Sequence, residues 1–147
     1  MTQKPVVVTP SERKAPLSVV GIDVTVLISA AESKSQRLTI QAGAEGSGPP
    51  PHCHGWDESF YVTRGEVHFS CGGQTIMCGV GSLVYVPGGV VHAFQFGKGG
   101  GEMLEITGTG SDSIPFFTAL DRELPPGPPD VPKLLQIADR HGVNFRV

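Results

Sequence analysis

Two histidines one residue apart, His52 and His54, stand in the run PHCHGWDESFYVTRGE, and Glu58 follows four residues later. The chain holds five histidines in all, so this pairing uses two of a scarce residue. A strand turns its side chains to opposite sides at each step. In an extended segment His52 and His54 therefore share one face, and Cys53 takes the other. Two imidazoles one strand repeat apart can share a cation. Glu58 keeps the same parity, and a small kink over Gly55-Trp56-Asp57 would bring its carboxylate to that cation. A fourth ligand has to come from a different strand, and His92 in YVPGGVVHAFQF is the candidate. His68 is expected to face outward, because Val67 and Phe69 flank it. His141 sits at a helix end, where imidazole suits the negative pole of the dipole. Three histidines and one carboxylate leave coordination positions open on a five- or six-coordinate metal. That is the arrangement for Lewis-acid or oxygen-activating chemistry, not the closed sulfur-rich pattern of structural zinc. Fe, Mn, Ni, Co, Cu and Zn all suit such a ligand set. Glu58 is also the general-base candidate, since it can leave the metal and take a substrate proton.

Parity extends the site. If His92 points inward, so do Phe94 and Phe96. Phe60 shares the parity of Glu58, Met103 and the Leu104 or Glu105 region supply another wall, and Trp56, the single tryptophan, stands at the mouth. These residues outline a pocket for an apolar or aromatic small molecule. The competing reading is that they fill the interior, as a small barrel requires.

Short β-like runs must carry these residues. Leu17–Gly21, Ile22–Ser29, Gln36–Gly43 and, from Asp57 to Gly110, DESFYVTRG (ended by Gly65), EVHFS, QTIMCG, SLVYVPG, HAFQFG and EMLEITGTG are rich in Val, Ile, Phe, Tyr and Thr, with Gly, Pro, Ser or Asn between them. Closely spaced short strands predict a sandwich or barrel. If Gly72-Gly73 make a two-residue hairpin, Cys71 faces Gln74 and cannot pair with Cys78. Free thiols are then expected for the three cysteines. Residues 1–15 are polar and unpatterned, an arm. The barrel takes residues 16–110. Residues 111–147 carry helical spacing in SIPFFTALDREL and VPKLLQIADRHGV, separated by a proline-rich connector. At 147 residues with 39% hydrophobic content, the chain can bury a sizeable core. A net charge of -3 without a basic run excludes nucleic acid as an expected partner. No apolar run has the length of a membrane span, and MTQKPVVVTPSERKAP has no signal-like apolar block, so a cytoplasmic location is expected.

The spacing resembles that of a known family. Gly46, five residues, His52-x-His54, three residues, Glu58, six residues and Gly65 form one motif. Gly81, five residues, Pro87-x-Gly89, two residues and His92 form a second. Together they resemble the two signature motifs of the cupin superfamily, over about residues 40–107. The resemblance implies an all-β fold, a cupin jelly-roll barrel (a double-stranded β-helix), here with a short C-terminal helical tail. It also implies that His52, His54, Glu58 and His92 hold one divalent transition metal. One position departs from the pattern: Phe96 stands where the second motif often has Asn. Within the superfamily, PPPHCHGWDESFYVTRGE and the helical tail ending ADRHGV, of the form (A)xRHGV, resemble quercetin 2,3-dioxygenase-like single-domain proteins. That resemblance implies a dioxygenase acting on an enolisable or aromatic hydroxylated substrate. A non-oxidative enzyme (polyketide cyclase, isomerase or decarboxylase) and a non-catalytic metal-containing binding cupin are the alternatives. Small cupins usually pair, so a homodimer is expected.

Overall fold

The structure is a computed structural model and describes residues 3–146. The first two residues of the arm and Val147 of the tail lie outside the described residues. From residue 3 to Pro16 the chain is extended and almost wholly exposed, apart from a 3-10 turn at Pro10–Glu12.

Nine strands follow in one curled, antiparallel sheet. They are β1 (Leu17–Val19), β2 (Ile22–Ile28), β3 (Gln36–Gly43), β4 (His52–His54), β5 (Glu58–Cys71), β6 (Gln74–Gly79), β7 (Leu83–Val86), β8 (His92–Gly108) and β9 (Val143–Phe145). Helices α1 (Ser113–Glu123) and α2 (Val131–Arg140) lie between β8 and β9. Along one path the order is β1-β2-β3-β8-β4-β9, and β5 pairs with β6, β7 and β8. The fold is therefore all-β, a jelly-roll barrel with a helical tail. Among the described residues no helix is long and apolar enough to cross a membrane.

Two expectations about strand ends change. Gly65 does not end a strand: β5 runs on through it to Cys71. Likewise HAFQFG and EMLEITG are one strand, β8. The reason lies in their shared ladder. The register of β5 on β8 shifts on both sides of Gly65, opposite Gly101. Before the shift Glu58, Phe60 and Val62 are buried; after it Val67 and Phe69 are. In β8 the buried set changes from His92, Phe94 and Phe96 to Met103, Glu105 and Thr107. An extra residue in a ladder swaps faces and bends the strand, and here both strands bend together. The inward set thus stays inside on either limb.

The barrel core is apolar and rich in aromatic rings. Phe60, Phe69, Phe94 and Phe96 are all buried, with centroids 5.1 to 5.8 Å apart along the chain of contacts Phe69–Phe60–Phe94–Phe96. Such spacing suits tilted and edge-on packing. The Gly72-Gly73 hairpin forms, both residues with positive φ, and Cys71 faces Gln74. All three cysteines are free.

The tail is more than helical. α2 begins under Pro132 with Asp130 accepting from the Lys133 N–H, and ends at His141 and Gly142. The chain then adds β9 alongside β4. Asp112–His141 and Glu123–Arg140 pairs tie α1 to α2.

Gly65 is the test of the bend. Its φ is +70°, and a Cβ there would sit 2.2 Å from the Gly100 carbonyl oxygen. Gly65→Ala should cost about 3 kcal/mol in strain and overlap, read as a lowered midpoint in urea. Gly72→Asn, at φ +59° with open space around it, should leave that midpoint nearly unchanged.

Candidate metal centre

β4 carries His52 and His54 on its inner side and pairs with β8 at one register position only, His52 opposite His92. β9 holds its other edge, through Phe145, Asn144 and Val143. The connection from β4 to β5 is pinned by Asp57, whose carboxylate accepts from the Gly88 N–H at 2.9 Å and the Tyr85 hydroxyl at 3.0 Å. Those two bonds hold the Asp57 carboxyl below its usual range. Gly88 passes so close to Gly55 that a Cβ would lie 2.6 Å from the Gly55 oxygen. The loop that presents His92 is thereby locked to the loop that turns Glu58 inward.

Each of the three histidines is oriented in the same way. His52 Nδ1 donates to the Pro50 carbonyl at 2.9 Å, His54 Nδ1 to that of Trp56 at 3.0 Å, and His92 Nδ1 to that of Val90 at 2.9 Å. With the proton committed at Nδ1, each neutral ring presents an Nε2 lone pair. One ligand nitrogen from each of the three converges within 4.8 Å of the others. Glu58 Oε2 lies 2.9 Å from His54 Nε2 and 3.0 Å from His92 Nε2. Two acceptors do not approach so closely unless a proton or a cation lies with them. Cis ligands on an octahedral ion with bonds of about 2.1 Å are about 3.0 Å apart, which matches these contacts. The donor set therefore fits a divalent transition metal. His52, His54, His92 and Glu58 would hold it.

Burial sets the protonation pattern. His52 is pushed down to about 4, chiefly by burial and then by the neighbouring His92. His92 is raised: burial opposes its charge, but the bond and charge of Glu58 outweigh that. Glu58 is held far below the usual carboxylate range. Burial works against this, but bonds from Glu105, His54 and His92 prevail.

Glu105 is a residue the sequence reading named only as part of a wall. It is 1% exposed, and the Thr39 hydroxyl donates to its Oε1 at 2.9 Å. Its Oε2 meets no donor among the described residues. Burial, and then the bond and charge of Glu58, raise it well above the usual range. The two neighbouring carboxyls are thus pushed apart, Glu105 toward its protonated form and Glu58 toward its ionised one. The signal was available in EMLEITG, where Met103, Glu105 and Thr107 share the inward parity.

A cavity opens beside the histidines, its empty space about 610 Å³ with the mouth included. Trp56, Phe60 and Phe94 line it, as do His52, His54 and Glu58. Trp56 stacks on His54 at 4.2 Å and 8°. Phe96 and Met103 do not reach it. Both are buried in the core behind it, Phe96 against Gly43 and Gly101, whose missing Cβ atoms make room for its ring. The remaining walls come from segments the sequence did not assign to the site: the β1–β2 turn, α1 and β9. No Lys or Arg among the described residues lines the cavity.

Metal-free protein should register the His52 shift. Its unfolded form binds a proton near pH 6.5 and its folded form only near pH 4. Stability from this residue is complete above about pH 6.5 and falls by about 3 kcal/mol as pH drops through about 4. His52→Asn should remove that part of the slope from urea unfolding measured between those two pH values.

Residues 37–106 match the model of the cupin domain. An uncharacterized protein of Streptomyces coelicolor is 38% identical over 56 residues, which are 38% of this chain and 50% of that protein. The chain thus spans about half the length of that curated relative. Among solved structures, KdgF from Halomonas sp. superposes with a TM-score of 0.68 at 14% identity, over 76% of this chain and 99% of that one. The polyketide cyclase RemF from Streptomyces resistomycificus gives 0.64 at 23% identity, over 71% and 80%. At such identities the likeness is one of fold. Motif, barrel and domain match agree: residues 37–106 carry a cupin domain.

Proposed function

We propose that this cupin is a metal-dependent enzyme of the quercetin 2,3-dioxygenase-like kind, acting on an enolisable or aromatic hydroxylated substrate. The observation that carries the reading is a three-histidine, one-carboxylate cluster opening on a largely apolar cavity that no Lys or Arg among the described residues lines. Such walls suit a largely apolar ring that reaches the metal through an oxygen.

When bound, the metal would supply Lewis acidity and, if redox-active, the activation of dioxygen from solution. The chain's own residues do the rest. Glu58, deprotonated and lining the cavity, takes the proton of a substrate hydroxyl. Glu105, pushed toward its protonated form, lines the cavity beside Glu58. Phe60, Phe94 and Trp56 exclude water and grip the ring. Gln41 and Ser113 are the uncharged polar side chains of the wall and orient the substrate's other oxygens.

A second reading has its own support. Glu58 and Glu105 form a carboxylate beside a carboxylic acid, which is what a non-oxidative cyclisation needs to move protons in and out. The likeness to a polyketide cyclase agrees with it.

Metal analysis on protein purified without chelator should give about one transition-metal ion per chain, and His54→Ala should lose most of it. Oxygen uptake on adding quercetin supports the dioxygenase. Anaerobic turnover of an aromatic 1,3-diketone without uptake moves the assignment to a cyclase. Full metal with neither reaction leaves a binding cupin.

The expected homodimer belongs to the same proposal. Leu83 and Tyr61 face one another on the outer side, in a row continued by Leu104 and Ile40. Leu83 is 64% exposed and Tyr61 44%. An antiparallel sheet that faces water carries polar residues there; this row has none, and no charge to repel a second copy. Light scattering should give twice the chain mass, and Leu83→Glu with Tyr61→Glu should give the monomer.

A further inference from the structure

The β1–β2 turn contradicts the rule for its own geometry. Val19 pairs with Ile22, so Val20 and Gly21 are its two central residues, at φ +47° and +87°. Two positive φ values in a two-residue hairpin favour Asn-Gly or Gly-Gly. Gly21 conforms. Val20 is the only residue other than glycine with positive φ among the described residues, and its branched Cβ makes the conformation costly. Such strain persists where surrounding contacts over-determine it, and it concentrates at ligand sites.

Both conditions hold here. The Ser18 N–H donates to Asp121 Oδ1 at 2.8 Å, which fastens β1 to α1. Val20 is half-buried, packs against the core, and lines the same cavity as Phe117 and Trp56. A turn-adapted residue would have served the hairpin better, so its side chain is retained for what it meets. We propose that Val20 is a specificity-determining residue. Its isopropyl group, held in a strained turn, narrows the cavity and selects flat, uncharged aromatic ligands by size. The proposal rests on the reading that this cavity takes the substrate.

The test needs neither metal nor turnover. N-phenyl-1-naphthylamine, an uncharged aromatic fluorophore, is titrated into the metal-free full chain. Energy transfer from Trp56, the single tryptophan, reports probe at the cavity. Val20→Gly should tighten probe binding several-fold and Val20→Ile should weaken it several-fold. Val20→Asn, suited to positive φ, should raise Tm by a few degrees while weakening the probe. A merely structural role would not give higher stability with poorer binding. Equal affinity in all four proteins, including none in any, overturns the proposal. So does a lower Tm for Val20→Asn. Absent metal or turnover would sink the enzyme assignment and leave this titration readable.

Discussion

Glu58 opens β5 and His92 opens β8, and in the register they stand at opposite ends of a shared ladder. Glu58 faces Thr107, and His92 faces Cys71. Laid flat, thirteen residues of strand would separate them by about 40 Å. In the barrel their side chains are 3.0 Å apart. Everything at the candidate metal centre depends on that curl, and the curl depends on β5 and β8 changing register together near Gly65 and Gly101. If only one strand bulged, one limb would turn its apolar face outward. The matched bend keeps both inside and brings the ladder's two ends together.

That dependence explains which parts of the site were legible. His52, His54 and Glu58 lie within seven residues, and strand parity alone puts them on one side. The Gly72-Gly73 hairpin was legible for the same reason, because a two-residue turn sets its own register. Long-range consequences were not. A glycine inside a strand-like run reads equally as an end or a bend, so Gly65 and the segment around Gly99 split two long strands into four. Phe96 and Met103 have the inward parity that was assigned to them. Inward in a barrel means either cavity or core, and depth along the axis is not written in alternation.

The walls of the cavity were the least legible part, because they come from segments with no chemistry of their own. Phe116 and Phe117 read as the apolar face of a helix. Phe145 stands in the alternating run Val143-Asn144-Phe145 directly after a helix end, too short a stretch to announce β9. Yet β9 matters to the metal centre. β4 has a single register position on β8, so the edge that steadies His52 and His54 is the one β9 provides. Phe145 also packs its ring 5.5 Å from that of His52.

The centre also concentrates charge where the barrel can least solvate it. Glu58 and Glu105 are each at most 5% exposed, and both ionised in contact would be prohibitive. One proton on Glu105 resolves their repulsion, and Thr39 satisfies one of that residue's oxygens. The charge left on Glu58 is met by His54 and His92. His52, which lacks that carboxylate contact, remains neutral. A divalent ion would sit among these same contacts, with the Nδ1–carbonyl bonds untouched. The side chains already converge, so the apolar walls need not move to admit it.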